Sequence, residues 1–355
     1  MTVISSKPAD KPVNAYNRLG IVIVVYKNET HIKPLLKALA KSKKPGDKIV
    51  IVDNYAPNHP CAKLIKGDKT VDQVIRLPNV GFGGGCNAGA EPIVGAVDLL
   101  LFLNPDTLPQ KGAIEALRNG GQDDWGAWMG LLTLPSGKVN SAGNAVHISG
   151  LSWVLGYGEP TANYHKPKEV SVLSGADMIV RSQVWKEVGG FEADYFLYYE
   201  DTNLSFRVRL LGHKLGLVPA AHIMHDYDFG KGSHKWFYIE RNRYMFMLIC
   251  WPWSVLLAFA PLFIVDELGL WAISILERRF VSKLRASLSF FRVLPRSLSI
   301  RRKVQKNKKI SSGEFLRLLE PTINTPLLPT LQKAPLVNGV FSAYYRLVLA
   351  LLARG

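Results

Sequence analysis

Asp106 stands at a position in the sequence where a carboxylate can do chemistry. It follows the unbroken apolar run Leu99–Leu103, with Pro105 between them. Such a run is typical of a strand buried on both faces of a parallel sheet, and the proline should end it. Open α/β sheets bind ligands at the carboxyl ends of their strands. A carboxylate there suits a hard cation, and the cation in turn suits a diphosphate.

Asp53 ends a second buried strand, predicted over residues 48–52, and should lie at the same edge of the sheet. Its carboxylate could accept hydrogen bonds from a nucleotide base or from a ribose hydroxyl. The structural alternative is an Asx turn, in which the side chain bonds the backbone that follows the strand.

Glu200 and Asp201 form a second acidic group, directly behind the aromatic run of residues 195–199. Partial burial by those rings would raise the pKa of a carboxyl group and make it a better general base. The alternative is that Asp201 only caps the helix predicted over residues 202–211.

Two histidines, His222 and His225, follow the next apolar run at residues 215–219. Imidazole is a common ligand of divalent metals, so one of the two could bind a cation beside Asp106. The alternative is a structural histidine, because a His-x-x-His spacing alone is a weak metal signature.

Residues 78–89 contain five glycines. Glycine lets the backbone approach a ligand closely, and the amino end of a following helix favours phosphate. We therefore predict a glycine-rich loop and then a helix from Cys86 to about Val97, with a plain flexible turn as the alternative. No Gly-Lys-Ser/Thr follows, so this is not a Walker loop, and the position of Asp53 before the glycines argues against a dinucleotide fingerprint.

The elements that must position these residues alternate between strands and helices. Apolar residues recur with helical spacing over residues 29–41, between the strands predicted at 19–25 and 48–52. Strands at 71–77 and 99–103 continue the alternation, which predicts right-handed βαβ units and a mostly parallel sheet. Over residues 125–180, short apolar runs broken by Gly, Pro, Ser and Asn indicate mixed strands and loops that could face an acceptor.

The chain has 355 residues, of which 48% are hydrophobic, enough for one large α/β domain with an appendage or for two domains. Its three cysteines are too widely spaced for a disulfide framework or a metal site, which favours reduced thiols and a cytoplasmic compartment. Residues 1–18 are expected to be a loose polar leader without the apolar core of a signal peptide.

The last third of the chain is first apolar and then strongly basic. Residues 244–265 carry no formal charge and are interrupted by Pro252 and Pro261. Their length permits a membrane span, an interface-lying or re-entrant hairpin fits as well, and a buried core helix is the alternative. Residues 276–309 hold twelve Lys or Arg and one acid, which is +11 of the net charge of +16. Such a block should bind a polyanion, unless it is only a solvated face.

Taken in order along the chain, these motifs resemble the family-two inverting glycosyltransferases with a GT-A fold, in particular the bacterial rhamnosyltransferase-like members. The resemblance runs over roughly residues 19–245. The motifs that carry it are residues 24–28, 52–54, 79–89, 103–107, 175–176, 189–191 and 199–201, followed by a histidine past the next strand.

The resemblance implies a role for each candidate residue. Asp201 would be the catalytic base with Glu200 in support, and Asp53 would hold the base or ribose of the nucleotide. Asp106 would be the remaining acid of a metal-binding Asp-x-Asp motif, because Asn104 stands where that motif has its first Asp. His225 would be the second ligand of Mg²⁺ or Mn²⁺. The implied nucleotide-sugar-binding residues are Tyr26, Asp53, Gly81, Phe82, Asn87, Asn104, Asp106, Gly175 and Ala176.

The implied fold is an α/β GT-A domain over residues 19–243, with a Rossmann-like, mostly parallel central sheet. Residues 244–355 would add an apolar hairpin, the basic segment and a helical tail that associate with a membrane. The implied reaction moves a sugar, with rhamnose as the first expectation, from a nucleotide-diphosphate donor to a hydroxyl of a lipid-linked or polysaccharide acceptor in cell-envelope glycan synthesis. A polyprenyl-diphosphate-linked acceptor and an anionic membrane surface would place the protein at the cytoplasmic face of the cell membrane, as a peripheral or re-entrant protein.

Two other function classes stay open on the sequence alone. A sugar nucleotidyltransferase also uses a glycine-rich loop and a metal carboxylate, but residues 81–89 contain no Lys or Arg to cradle a triphosphate. A non-enzymatic membrane- or nucleic-acid-binding protein could be built around residues 276–309, where three phenylalanines lie among the basic residues. That function would leave the aspartates at the predicted sheet edge unexplained, so nucleic acid is the less expected partner.

Overall fold

The computed structural model describes residues 17–227, 235–326 and 335–352, so nearly all of the predicted leader lies outside the described residues. The strands are β1 (Leu19–Val25), β2 (Lys48–Asp53), β3 (Gln73–Arg76), β4 (Leu99–Leu103), β5 (Thr107–Pro109), β6 (Trp125–Thr133), β7 (Val139–Ser141), β8 (Asn144–Val146), β9 (Ser152–Val154), β10 (Lys168–Glu169), β11 (Asp177–Arg181) and β12 (Lys214–His225). Across the described residues they form a ten-stranded sheet and a separate β8–β9 hairpin.

The helices fall into two groups along the chain. The first group covers the sheet, and the second follows β12. They are α1 (Glu29–Ala40), α2 (Pro60–Leu64), α3 (Gly81–Ala90), α4 (Ala113–Asn119), α5 (Ser182–Val188) and α6 (Glu200–Leu210), and then α7 (Lys235–Cys250), α8 (Trp253–Leu276), α9 (Phe280–Lys306), α10 (Ser312–Leu316) and α11 (Pro335–Leu352).

The parallel half of the sheet has the strand order β4-β1-β2-β3. Val25 of β1 lies opposite Asp53 of β2, and Ile23 lies opposite Leu103 of β4. The carboxyl ends of three strands therefore meet at one edge, as predicted. All residues of β4 are buried, because an apolar strand in the middle of a sheet has neighbours on both sides and helices on its faces.

The other half of the sheet mixes strand directions. β11 runs antiparallel between β4 and β6, and β12 runs parallel to β6. After Pro105 ends β4, the short strand β5 pairs antiparallel with the end of β12, with Thr107 opposite His225. This pairing places His225, which is more than a hundred residues later in the chain, opposite Thr107 and therefore next to Asp106.

The predicted glycine-rich loop is wrong: residues 81–90 are the helix α3. Its glycines make room for packing against the sheet. A Cβ on Gly89 would lie 2.3 Å from Cγ1 of Val22, and one on Gly85 would lie 2.7 Å from Cγ1 of Val24. Helix α3 therefore lies directly on β1, a contact that the low helix propensity of glycine concealed in the sequence.

The C-terminal helices share a buried aromatic cluster with the sheet domain. Phe206 of α6 packs on Phe246 of α7 with ring centroids 4.9 Å apart, and Phe315 and Trp251 extend the cluster. The predicted boundary between residues 243 and 244 thus falls inside α7. Two described helices, Trp253–Leu276 and Pro335–Leu352, are long and apolar enough to cross a membrane by length and composition.

Candidate active site

Asp106 and His225 meet at the carboxyl edge of the sheet. Nε2 of His225 lies 3.5 Å from Oδ1 of Asp106, and both side chains are largely buried. Within the described residues, Oδ1 of Asp106 and Nδ1 of His225 have no hydrogen-bond partner. A buried carboxylate oxygen without a donor is costly, and a bound cation would relieve that cost. The described part of the chain contains no group of three or more His, Cys, Asp or Glu side chains placed to hold a metal.

Asn104 and Tyr227 border this pair. Nδ2 of Asn104 lies 3.5 Å from Nε2 of His225. The ring of Tyr227 stacks on His225 with centroids 5.4 Å apart, and its hydroxyl lies 3.2 Å from that of Tyr198. Burial and the bond to Tyr198 raise the pKa of Tyr227, so that it stays a neutral phenol. His222, the other candidate, lies opposite Leu131 in the pairing of β12 with β6.

Glu200 and Asp201 begin helix α6 and differ in their hydrogen bonds. Oδ2 of Asp201 accepts the N–H of Gly175 at 3.0 Å, and Oδ1 accepts the N–H of Thr202 at 2.6 Å. Oε2 of Glu200 is buried and has no partner among the described residues. Burial, reinforced by the neighbouring Asp201, raises the pKa of Glu200 to about 8. Burial also raises the pKa of Asp201, which its hydrogen bonds partly offset. Because Asp201 accepts two backbone N–H hydrogen bonds that stabilise its charged form, it is the carboxyl group of the pair that ionises first.

One short segment joins Asp201 to Asn104, which lies two residues before Asp106. Gly175 donates to Asp201, and the carbonyl of the next residue, Ala176, accepts the N–H of Asn104 at 3.0 Å. A Cβ on Gly175 would lie 3.3 Å from Cβ of Asp201 and 3.2 Å from the ring of Phe82. The small residue at 175 therefore lets the backbone approach the carboxylate closely.

The turn that precedes Glu200 has an unusual backbone. Phe196, Tyr198 and Tyr199 all have positive φ angles, of 63°, 67° and 69°. Non-glycine residues adopt this region at a cost of about 1 kcal/mol or more each, so surrounding contacts must hold the turn in place. It sets the direction in which helix α6 presents its first two carboxylates.

Helix α7 supplies those contacts. Nδ2 of Asn242 lies within hydrogen-bonding distance of the carbonyl oxygens of Tyr195, Leu197 and Tyr198, at 2.9, 2.9 and 2.7 Å. The guanidinium of Arg241 donates to the carbonyl of Tyr195 at 2.9 Å and to that of the preceding residue. Asn242 is fully buried, so solvent water could not replace these hydrogen bonds if its side chain were removed.

Asp53 is completely buried at the end of β2. Oδ2 accepts the N–H of Ala62 in α2 at 2.7 Å, and Oδ1 accepts the N–H of Tyr55 at 3.3 Å. Nδ1 of His59 lies 3.6 Å from Oδ1. The bond to Tyr55 is the Asx-type contact that was the structural alternative for this residue. A nucleotide could therefore bind this carboxylate only if its present hydrogen-bond partners moved away.

An aromatic pair lies beside Asp53, in which Tyr26 is exposed and Tyr55 is half-buried. The rings of Tyr26 and Tyr55 meet edge to face with centroids 5.3 Å apart. Nζ of Lys27 lies 5.3 Å from the first ring centroid and 5.2 Å from the second. Two aromatic faces and a cation at the ends of β1 and β2 suit the stacking of a nucleotide base near a phosphate.

The remaining predicted binding residues support α3 and its neighbours. Asn87 exchanges two hydrogen bonds with the backbone of Phe191, at 2.8 and 2.9 Å. Gly81 has a φ of 77°, and a Cβ there would lie 2.3 Å from the carbonyl oxygen of Phe196. Phe82 donates its N–H to that same carbonyl at 2.9 Å. These residues thus fix the turn before Glu200 from the side of α3.

Sequence reasoning missed Tyr55, Tyr227 and Asn242. Tyr55 directly follows the motif of residues 52–54, and Tyr227 follows His225 by two residues, so proximity to the predicted motifs was an available signal for both. Asn242 had no such signal, because its partners lie more than forty residues earlier in the chain.

The chain is similar in sequence to known glycosyltransferases. Residues 20–188 match the family model described as Glycosyl transferase family 2. These residues form a family 2 glycosyltransferase domain. The N-acetylglucosaminyl-diphospho-decaprenol L-rhamnosyltransferase of Mycobacterium tuberculosis (strain CDC 1551 / Oshkosh) is 28% identical to this chain over 234 residues, which are 58% of this chain and 75% of the relative. Rhamnosyltransferase WbbL of Escherichia coli (strain K12) is 30% identical over 103 residues, which are 27% of this chain and 39% of the relative. This glycosyltransferase is therefore rhamnosyltransferase-like in sequence.

The fold of the glycosyltransferase is also found among solved structures. A crystal structure of GalNAc-T7 with UDP, GalNAc and Mn²⁺ superposes with a TM-score of 0.56 at 15% identity, over 69% of this chain. The present chain spans about half of that protein's length, 51%. The GT-A type of α/β fold predicted from the sequence is thereby confirmed.

Proposed function

We propose that this glycosyltransferase transfers a sugar, rhamnose as the first candidate, from a nucleotide-diphosphate donor to a hydroxyl of a lipid-linked acceptor, with inversion at the anomeric carbon. The observation that carries the proposal is the link between the two acidic groups. Gly175 donates a hydrogen bond to Asp201, and the carbonyl of the adjacent Ala176 accepts one from Asn104. Asn104 lies two residues before Asp106 and 3.5 Å from His225, so this segment ties the Asp201–Glu200 pair to the strand end that presents Asp106.

The donor would bind along the carboxyl ends of β1, β2 and β4. The rings of Tyr26 and Tyr55 would stack on the base, and Lys27 would face the negative charge of the phosphates. Asp53 would accept from the base or ribose after a shift of its present partners. Asn104 and Asp106 would lie nearest the diphosphate, and Gly175 and Ala176 nearest the sugar.

A divalent cation fits Asp106 and His225, because a buried carboxylate oxygen without a donor lies beside an imidazole nitrogen. The GalNAc-T7 structure contains Mn²⁺ together with UDP, which supports Mn²⁺ or Mg²⁺ as the candidates here. When bound, the cation would neutralise charge on the leaving diphosphate.

Asp201 is the proposed base. Its ionised carboxylate takes the proton of the acceptor hydroxyl while the acceptor oxygen forms a bond to the anomeric carbon. The bond from that carbon to the diphosphate breaks on the opposite face, and the diphosphate leaves with the electron pair, which inverts the anomeric configuration. Glu200, which keeps its proton near neutral pH, leaves Asp201 as the single negative charge of the pair.

The acceptor proposal follows the relative whose name specifies a diphospho-decaprenol-linked N-acetylglucosamine. A polyprenyl-diphosphate-linked sugar would require access to a membrane, and a cytoplasmic pool of nucleotide sugar would place the protein at the inner leaflet. In this proposal residues 19–243 are the catalytic domain, and residues 244–355 hold it at the membrane.

The test is transfer from dTDP-, UDP- and GDP-sugars to a native membrane extract, with products identified by mass spectrometry and the anomeric configuration by NMR. Asp201→Asn should lower turnover by about 100-fold or more, while Mn²⁺-dependent stabilisation by the nucleotide stays. The exposed Asp123→Asn is the control and should keep full activity. Transfer from none of the donors by the unaltered chain would overturn the function, and a fully active Asp201→Asn would overturn only the assignment of the base.

A further inference from the structure

We infer that helices α8, α9 and α11 form a surface that rests on an anionic lipid bilayer, with α8 lying in the plane of the membrane instead of crossing it. The inference deepens the proposed function, because it states how the enzyme would reach a lipid-linked acceptor. Its observations are independent of the catalytic residues.

Helix α8 has one exposed apolar face. Leu257, Ile264, Val265, Leu268 and Ile275 are each 60–70% exposed. Their spacing of seven, four and seven residues from 257 through 264 and 268 to 275 keeps them on one side of a helix. An apolar stripe of this length on the outside of a folded chain marks a contact with a partner or a membrane.

The opposite face of α8 is fixed to the protein. Val255 and Phe259 are fully buried there. Farther along, Asp266 and Glu267 stand near the middle of the helix, and Glu267 forms an ion pair with Arg243 of α7 and another with Lys283 of α9 at 3.2 Å. Helix α8 is therefore divided lengthwise into a protein side and an outer side.

This ionic cluster argues against a span. Arg243 also donates to the carbonyl of Ser149 in the sheet domain at 2.9 Å, so the cluster is attached to the catalytic domain. If α8 crossed a bilayer, its centre would place Asp266, Glu267 and their cationic partners at the middle of the hydrocarbon, together with part of that domain. Charges at that depth are costly, and polar loops do not occur there facing lipid. With α8 in the plane, the cluster stays on the protein side and only the apolar stripe enters the lipid.

The other two helices extend the surface. On α9, Val281, Leu284, Leu288 and Phe291 are 40–65% exposed. On α11, apolar side chains that are 45–85% exposed recur with helical spacing at Leu336, Val337, Val340, Leu347 and Leu351.

Charge identifies the occupant as anionic lipid. Arg285 and Arg292 are exposed and lie seven residues apart on α9, the helix that carries these apolar residues, and Arg278 is exposed in the turn before it. The basic segment of residues 276–309 contains a single acid, Glu277, which is paired with Arg279. A second copy of this chain would set these arginines against one another, whereas an anionic bilayer attracts them at about 1 kcal/mol each.

Depth measurement distinguishes the two orientations. The three native cysteines are buried, so single cysteines in Leu257→Cys, Ile264→Cys and Ile275→Cys can be labelled selectively with an environment-sensitive fluorophore. In vesicles of 70% phosphatidylcholine and 30% phosphatidylglycerol, quenching by spin labels at two acyl depths should place all three probes at the same shallow depth. A probe on Val74→Cys, exposed on β3, is the control and should not be quenched. A deep probe at 264 with 257 and 275 in opposite leaflets would overturn the in-plane arrangement.

Vesicle sedimentation tests the charge. Arg285→Gln with Arg292→Gln should weaken binding to the phosphatidylglycerol vesicles by roughly 10- to 30-fold. Lys33→Gln with Lys37→Gln, which removes the same charge from the exposed side of α1, should leave it within about twofold. Equal binding to neutral vesicles, equal loss in both pairs, or a dimer that excludes vesicles would overturn the lipid assignment. None of these measurements needs a sugar donor. Failure of the transfer assay and failure of the membrane proposal can therefore be distinguished.

Discussion

The chemistry of single residues in this site depends on two adjacent carboxyl groups in different surroundings. Asp201 accepts backbone hydrogen bonds, whereas Oε2 of the buried Glu200 accepts none from the described residues. The pair can therefore hold one proton on Glu200 and one charge on Asp201 near neutral pH. The aromatic run in front of them predicted raised pKa values, but which acid keeps the proton depended on Gly175, a residue that only the fold brings near.

Glu200→Gln should stabilise the folded chain at alkaline pH. The folded chain keeps the Glu200 proton to about pH 8, whereas the ordinary value is 4.5, so the wild type loses stability as the pH rises between these values. The variant has no such proton. We compare the free energy of unfolding of the variant with that of the wild type at two pH values. The difference, variant minus wild type, should be larger at about pH 9 than at about pH 5 by at least about 1 kcal/mol, since one pKa unit is worth about 1.36 kcal/mol. Urea unfolding at both pH values measures this.

Exposed Glu91→Gln is the control for that measurement and should show the same difference from wild type at both pH values. A difference for Glu200→Gln that is also independent of pH would contradict the raised pKa and, with it, the division of roles between the two carboxyl groups.

The elements of the catalytic half were predictable where the local signal and the tertiary environment agree. The apolar runs that became β1, β2 and β4 have the burial expected of central parallel strands. Helix α3 was not predictable in the same way, because its glycines are unfavourable in a helix by propensity and favourable only where β1 lies against them. The turn before α6 is a second example, since its positive φ angles depend on contacts from α7.

Asn242→Ala should impair turnover without impairing donor binding. Loss of the amide leaves the carbonyls of Leu197 and Tyr198 without their α7 partner and lets the turn relax, which displaces Asp201. We expect kcat to fall by about tenfold or more while KM for the donor changes by less than about threefold. Steady-state kinetics with the nucleotide sugar measures both.

Gln305→Ala is the matched control for Asn242→Ala. Its amide donates to the carbonyls of Ile249 and Cys250 at the other end of α7, at 3.1 and 2.9 Å. An equal fall in kcat in both variants would indicate general loosening of α7. Hydrogen exchange of the peptide containing residues 193–201 should increase only in Asn242→Ala, and an unchanged rate there would contradict the positioning role.

On the scale of the whole molecule, the C-terminal helices are joined to the sheet domain at a buried histidine. His147 is fully buried, and its ring meets Phe341 of α11 edge to face, with centroids 4.7 Å apart. Its Nδ1 lies 2.9 Å from Oγ of Ser149, in the same loop that receives Arg243. Protonation at this point would place a charge between the two parts of the molecule.

Acid should therefore destabilise the whole molecule through His147. Burial lowers the pKa of His147 to about 4 from an ordinary 6.5, so the unfolded chain takes up a proton first as the pH falls. The free energy of unfolding should decline from about pH 6.5 to pH 4, by up to about 3 kcal/mol from this residue. His147→Gln should be less stable than wild type at neutral pH but show a shallower decline. Chemical unfolding across this range measures both slopes, and parallel curves would contradict the prediction.

The sequence by itself determined the buried strands β1, β2 and β4, the order of the motifs, the family resemblance and the uneven charge, because each depends on residues close together in the chain. Tertiary structure decided the rest. It placed His225 beside Asp106 through the pairing of β5 with β12, made a helix of the glycine-rich segment, and brought Asn242 to the turn before Glu200. It also divided α8 into a protein side and an outer side. These outcomes depend on contacts between segments far apart in sequence, and no local pattern specifies which of several equally suitable residues will meet.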